Sequence, residues 1–401
     1  MFKQLDPSMY RDVTSALLPP GIAADAEVAL EALNAQFGVG GGETAILDGM
    51  RVTKHDPSGL LIRVTAGQIE GVWAPEAVTD EQVADWRERM AAALKPAGIA
   101  LVNRVVLCAG PIEHRWELPE VGVRLSPPPI GAPRPPMLMA DHAVMLRVRI
   151  ETCAQRSING TFAARKLEWW TLLLNAATYL RCGHTLHRRS AWAWDRHRDD
   201  RSKWMDLEYF SPEILDDTAV EAAASQAPSG CWVDDAEYYI GFGAATDHSA
   251  VLPASLGATL TAAESLAPEH HRDLRRACRL ISAADEAAPM SSSLSYVALV
   301  SAVETLAKNW RPKLGATARF KQLLTDMLPC YRDVEDGAAE LYRLRCDLVH
   351  EGIVFPGDWI GMSHDEDRRE WSAHWGLARV ARLATVNWLR ARAGLPHVPA
   401  A

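Results

Sequence analysis

A chain of 401 residues, 48% hydrophobic and 23% charged, can bury two or three cores and has the balance of an ordinary globular protein. Its formal net charge of −9 excludes indiscriminate phosphate binding, so any nucleic acid must be selected by basic groups gathered in one place. No apolar run approaches the roughly 18 residues of a bilayer span, Met1–Pro7 lacks a secretory pattern, and seven scattered cysteines without a Cys-x-x-Cys pair argue for free thiols in a reducing compartment. A cytoplasmic protein with no membrane partner is expected.

The expected fold class is α+β, with an N-terminal mixed α/β domain ahead of an all-α C-terminal bundle. In residues 1–155, Val28, Leu30 and Leu33 predict a helix over Asp25–Gln36, broken by Gly38–Gly42. Gly38–Glu43 is read as a turn, since it lacks both the Gly-Lys-Ser/Thr ending of a phosphate loop and the third glycine of a dinucleotide fingerprint. Leu60–Thr65, Val102–Leu107 and Ala143–Ile150 have strand composition. Between the first two, Thr79 is the expected N-cap of a helix whose first turn holds Asp80 and Glu81, with Pro96 and Gly98 as stop signals. The proline-rich run Ser126–Pro136 predicts a stiff exposed loop.

Residues 156–254 are expected to form a helical and connector region. A helix over Gly160–Leu180 would place Leu167, Trp170, Leu174, Ala177 and Leu180 on one side, with Trp169 and Trp170 used for packing. His184–Trp204 interleaves Arg188, Arg189, Arg196 and Arg198 with Trp192 and Trp194, a mixture able to track a phosphate backbone while stacking bases. The alternative is a solvated loop whose arginines pair with Asp195, Asp199 and Asp200. Cys182, His184 and His187 lack a fourth metal ligand at recognised spacing, so neither a metal nor a cofactor is expected. The acidic, alanine-rich stretch Pro212–His271 resembles a connector with some short structure, His270 and His271 being solvated helix ends. Five helices are expected in residues 255–401, near 269–284, 290–309, 315–328, 336–351 and 367–393.

The fourth of these holds the sharpest signal, Leu341–Gly352 (Leu-Tyr-Arg-Leu-Arg-Cys-Asp-Leu-Val-His-Glu-Gly). At about 100° per residue, Leu341, Leu344 and Leu348 form a stripe expected to be buried. Arg345, Val349, Tyr342, Cys346 and His350 spread over an adjoining arc of about 140°. A histidine can move protons near neutral pH, and an arginine can hold a phosphate whose charge rises in the transition state. That pair suffices to cleave RNA through its 2′-hydroxyl without a metal. The same spacing recurs at Arg369/His374 and Arg392/His397, and Arg181/His187 is one residue longer, so spacing alone decides nothing. Around the pair, Arg311, Lys313, Arg319, Lys321, Arg332, Arg343 and Arg345 face six acids between 310 and 350. A plainer reading has His350 capping a helix end and Arg345 pairing with a carboxylate such as Glu304.

The Leu-Tyr-x-x-Arg-x-x-x-Val-His-x-Gly pattern resembles the signature helix of the HEPN superfamily, in its Apea-like branch. Ser295–Leu306, which includes Glu304, resembles that branch's first core helix, and Ala318–Leu324 the short helix after it, so the likeness covers roughly 255–401. It implies a metal-independent endoribonuclease with Arg345 and His350 catalytic and Tyr342, Cys346, Asp347 and Glu304 supporting. It also implies a toxin or phage-defence role, with the N-terminal part sensing a trigger or partner. The family commonly has Asn or Ser after the arginine; here it is Cys346, a weaker hydrogen-bond donor. A non-catalytic dimerisation or partner-binding module is the alternative, and a nucleotide-binding domain or the target of a partner enzyme a third. Because an α-helix sets Arg345 and His350 about 140° apart, one copy is not expected to aim both at one phosphate. A homodimer with these helices at its two-fold axis is therefore expected.

Overall fold

The computed structural model describes residues 3–19, 26–38, 42–65, 68–108, 112–129, 142–184, 191–195, 200–204, 217–241, 243, 250–288, 290–328, 334–352, 354–355, 358 and 364–399. It is an α+β protein that divides into two compact units, Met1–Val102 with Arg149–Lys166, and Asn103–Val148 with Leu167–Ala401. Among the described residues no helix is long and apolar enough to cross a membrane.

The first unit opens with β1 (Lys3–Leu5), β2 (Tyr10–Asp12), α1 (Thr14–Leu17) and α2 (Ala26–Phe37). Then come β3 (Gly42–Leu47), β4 (Met50–His55), β5 (Leu60–Thr65), β6 (Gln68–Pro75) and α3 (Asp80–Ala93). The six strands form one sheet in the order β1-β3-β4-β5-β6-β2, antiparallel except for the β1–β3 pair. Leu60, Leu61 and Ile62 are all buried, Leu60 and Ile62 on one face of the strand and Leu61 on the other. Leu60 and Ile62 join the core with Val28 and Leu33 of α2 and Val83 and Met90 of α3, while Leu61 packs with Ala45, Leu47 and Val52. Thr79 caps α3 as expected, within a full capping box: its hydroxyl accepts from Gln82 N at 3.2 Å, and Gln82 Oε1 accepts from Thr79 N at 2.8 Å.

The chain passes between the units inside β7 (Pro96–Cys108), β10 (His142–Cys153) and α4 (Arg156–Ala177), with β8 (Trp116–Leu118) and β9 (Val123–Ser126) between the first two. α3 ends at Ala93 with Leu94 as its C-cap, just ahead of the expected stop signals Pro96 and Gly98, which open β7. With β11 (Gly183–His184) these strands form a second sheet in the order β11-β7-β10-β9-β8. The expected proline-rich loop differs where it is described: Ser126 is fully buried as the last residue of β9, and Ile130–Pro136 fall outside the described residues. β12 (Ala191–Asp195) and β13 (Asp200–Trp204) form a hairpin with Trp192 opposite Lys203 and Trp194 opposite Arg201.

Where it is described, Pro212–His271 has the short structure expected of it, but these elements pack into the core rather than merely connecting. It holds α5 (Asp217–Gln226), β14 (Trp232–Val233), α6 (Asp235–Ile240), β15 (Leu252–Pro253) and α7 (Leu256–Glu264). Val220, Tyr238, Tyr239, Leu256 and Leu260 are no more than 2% exposed. Average composition misleads here because a few large apolar side chains do the packing between alanines. Tyr239 donates its hydroxyl to Ala177 O at 2.8 Å, and Glu221 of α5 holds Arg124 and Arg147 of neighbouring strands.

Five helices complete the second unit: α8 (Pro268–Ala287), α9 (Ser292–Ala307), α10 (Ala316–Met327), α11 (Val334–Cys346) and α12 (His364–Arg392). His270 and His271 are half-buried, not solvated, because the first turn of α8 packs on aromatic rings: His271 lies 4.5 Å from Trp169 and His270 5.9 Å from Trp388. Trp169 and Trp170 are buried, as expected. At the centre Arg382 is 1% exposed. Its Nη2 donates to both oxygens of Asp285 at 2.7 and 2.6 Å, and its Nε to the carbonyls of Asn175 and Thr178 at 3.1 Å.

Asp358 caps α9 from outside the helix, accepting from Ser291 Oγ at 2.8 Å and from the amides of Ser292 and Ser293 at 2.7 and 3.1 Å.

Two tests follow from this packing. Arg382→Ala leaves the half-buried Asp285 with only Arg181, at 4.0 Å, and removes the hydrogen bonds to Asn175 and Thr178, so guanidinium denaturation should show a loss of about 3 kcal/mol, whereas a loss under about 1 kcal/mol would show the pair to be dispensable. For Asp358, burial opposes ionisation, but the hydrogen bonds from Ser293, Ser291 and Ser292 outweigh it and hold the carboxyl below its ordinary value. A depressed folded-state pKa contributes stability that is present above the ordinary carboxylate range and lost as pH falls through the lowered value. Asp358→Asn should therefore cost about 1 kcal/mol near pH 6, and its gap to the native chain should narrow toward about pH 3; a pH-independent gap would contradict this account.

Candidate active site

The site is built from α9, α11 and the turn that ends α11. The α9 helix buries Tyr296, Leu299, Val300 and Val303 and carries Glu304 three residues from its end. Among the described side chains of α11, Ala338 and Tyr342 are buried, while Leu341 and Leu344, expected in the buried stripe, are only half-buried. The Tyr342 ring decides this orientation by packing 5.2 Å from Phe320 of α10. Arg345 is thereby turned inward, its side chain 20% exposed.

After Cys346 the helix widens. Asp347–Glu351 form a π-turn that closes with Gly352 N donating to Asp347 O, and Gly352 stands at φ 67°. That left-handed conformation is inexpensive for glycine and stops the helix. A bond from i to i+5 puts an extra residue into the turn, so residues five apart are brought over one another. Arg345 Nη1 lies 3.4 Å from His350 Nε2 within one chain. This corrects the expectation that a single copy cannot aim both at one phosphate, which assumed regular α-helical periodicity. A guanidinium can only donate, so a hydrogen bond in this contact has Nε2 as its acceptor.

Glu304 completes the cluster. Its Oε1 accepts from the Tyr342 hydroxyl at 3.0 Å and its Oε2 faces Arg345 Nη2 at 3.5 Å. The carboxylate pairing anticipated for Arg345 is thus present, alongside the contact with His350. Burial, then the neighbouring Glu304 carboxylate, pushes the Tyr342 phenol up, so it stays protonated and serves as a donor. Arg345 Cζ lies 5.9 Å from the Tyr342 ring centroid, and Arg345 Nε is buried without a hydrogen-bond partner among the described residues. Asp347 instead pairs with Arg343 at 3.0 Å, in a surface ladder that also holds Glu340. Cys346 is a half-buried free thiol. His350 and Val349 are exposed. The turn therefore presents an accessible imidazole beside a guanidinium held by one carboxylate, equipment for moving a proton next to a bound anion.

Of the other pairs of similar spacing, His374, Arg392 and Arg181 have packing partners. His374 is buried, its Nε2 2.7 Å from Ser295 Oγ, and burial pushes its pKa down. Arg392 stacks 4.9 Å from Trp310, and Arg181 4.8 Å from Trp375. His187, Arg188, Arg189, Arg196 and Arg198 lie outside the described residues, while Trp192 and Trp194 are placed in β12. Asp358, which orders α9, escaped sequence reasoning because its serine partners are more than sixty positions away. In the first unit a cavity of about 210 Å³ is lined by Leu30, Asn34, Thr53, Lys54, His55 and Ile62. There both His55 nitrogens are engaged, by Ser58 Oγ at 2.8 Å and Asn34 Oδ1 at 3.1 Å. The chain matches no family model, no curated protein and no solved structure.

Proposed function

We propose that this chain is a metal-independent endoribonuclease whose helical part is an Apea-like HEPN domain acting in the cytoplasm as a toxin or phage-defence effector. The observation that carries the reading is the approach of Arg345 Nη1 to within 3.4 Å of His350 Nε2 on an exposed turn. His350 takes the proton of a ribose 2′-hydroxyl, the freed oxygen attacks the adjacent phosphorus, and Arg345 holds the charge gathering on the phosphoryl oxygens. The 5′-oxygen leaves with a proton, giving a 2′,3′-cyclic phosphate and a 5′-hydroxyl. DNA lacks the attacking group and should survive.

One imidazole per copy provides one proton transfer, whereas this cleavage needs a base and an acid. Two copies meeting at the exposed turn around Val349 would supply both, which supports a homodimer through this helix. The first unit would sense the trigger or choose the RNA. The Arg345–Glu304 contact favours a second reading, a non-catalytic helical module in which that ion pair is structural and Cys346 marks a lost nuclease role.

Purified protein incubated with total RNA in EDTA should cleave it, and His350→Ala and Arg345→Ala should each slow cleavage by about 10²–10⁴-fold with folding intact. Cleavage abolished by the chelator, equal cutting of sequence-matched DNA, or undiminished activity of His350→Ala would each defeat the proposal. Absence of cleavage together with unchanged growth of cells expressing the native chain or His350→Ala would favour the module.

A further inference from the structure

Cys108 and Cys182 stand 74 positions apart in sequence, yet their sulfur atoms lie 3.4 Å apart, with the residues 0% and 2% exposed. Strand pairing brings them there. β11 runs antiparallel to β7 with Gly183 opposite Leu107 and His184 opposite Val106, so the next step of the register sets Cys182 across from Cys108. Directly opposed residues of antiparallel strands have Cα atoms about 4.5–5.5 Å apart, inside the roughly 4.4–6.8 Å span of a disulfide. Closing the sulfurs to a bond of about 2.05 Å asks for roughly 1.4 Å of approach, within reach of small side-chain rotations. The other described cysteines are not so placed: Cys153 donates to Gln155 O, Cys231 is exposed, Cys278 is buried within α8, and Cys346 is half-buried beside the candidate site.

We propose that Cys108 and Cys182 form a redox-active pair that closes to a cross-strand disulfide by exchange with a small-molecule disulfide of the glutathione type. One cysteine thiolate attacks a sulfur of the small disulfide and expels a thiolate, which takes up the proton the protein thiol has lost. The second cysteine attacks the resulting mixed disulfide at the protein sulfur, and the second small thiol leaves with the second proton. Two protein thiols are oxidised, one small disulfide is reduced to two thiols, and atoms and electrons balance.

The fold sets the conditions for this exchange. The hydrogen bond with Cys182, then burial, pushes the Cys108 thiol well up, so little thiolate exists while β11 is seated. β11 is two residues long and lies at the edge of its sheet, so it can fray at low cost and expose both sulfurs together. Once closed, the bond returns to the same buried position and is shielded from reductant. It then fastens the edge strand that leads toward the basic, tryptophan-containing hairpin.

The full chain is incubated with glutathione disulfide, free thiols are blocked with N-ethylmaleimide, and a non-reducing digest is mapped by mass spectrometry. One cross-linked peptide pair joining Cys108 to Cys182 is expected, with a mass loss of two hydrogens and a melting temperature raised by roughly 5 °C or more. Cys108→Ser and Cys182→Ser should each abolish the cross-link, and Cys231→Ser should leave it in place. The native chain alone decides the matter if the serine variants misfold. Oxidant that modifies Cys231 while Cys108 and Cys182 both stay open to alkylation after unfolding would overturn the proposal. So would a stable glutathione adduct on either cysteine, or a cross-link through other cysteines.

Discussion

The second unit is organised around the guanidinium of Arg382. A charge 1% exposed to solvent must find its hydrogen bonds inside the protein, and Arg382 finds them on several elements at once. Asp285 holds it from α8, and the carbonyls of Asn175 and Thr178 hold it at the end of α4. The Tyr179 ring lies 5.4 Å from it, and Tyr179 N donates to the Tyr238 hydroxyl at 2.9 Å. Such a pair adds little net stability compared with an apolar replacement of the same shape, but the number of its partners fixes how the helices meet. Two turns earlier on α12, His374 bonds Ser295 in the first turn of α9, and α9 in turn carries Glu304. Placement of the candidate site is thus connected through α9 and α12 to a buried charge far from it in sequence.

Within the site, backbone geometry achieves what side-chain length could not. Regular α-helical spacing would set Arg345 and His350 about 140° apart and leave them addressing different surfaces. The five-residue turn from Asp347 to Glu351 changes the periodicity at the place where the two groups converge. Such wide turns cost intrinsic helix stability and are frequent at functional sites. Arg343 offsets part of the cost by bridging Glu340 in α11 to Asp347 at the start of the turn, and Gly352 ends it in a conformation that other residues enter reluctantly.

Much of the helical architecture was legible because it is written locally. The Thr79 cap, the strand Leu60–Thr65 and the five C-terminal helices all rest on signals within a few residues of the element they define. What could not be read depends on distant partners. Asp358 is an unremarkable carboxylate until the serines of α9 reach it, and His270 and His271 look solvated until Trp388 and Trp169 arrive. The segment 212–271 reads as a connector with some short structure by average composition, although Tyr238 and Tyr239 are buried in it. For the site, Arg345, His350, Tyr342 and Glu304 were all identifiable, but their arrangement was not. The orientation of α11 follows Tyr342 packing on Phe320, and the wide turn has no local signature except the glycine that closes it.

The Glu304 carboxylate bears on how an acidic protein could act on RNA. With a net charge of −9 the chain has no general attraction for phosphate, and Arg345 already has an anionic partner at 3.5 Å. An incoming phosphate must draw the guanidinium away from Glu304, so charge alone gives it little advantage. Tyr342 moderates the competition, since its hydroxyl on Oε1 satisfies the carboxylate whether or not the arginine stays. Under the proposed chemistry, a phosphate would engage Arg345 productively only when its ribose 2′-hydroxyl also reaches His350, the two contacts together outweighing the ion pair. A single carboxylate would then make the site selective for correctly placed RNA over the far larger population of passing phosphates.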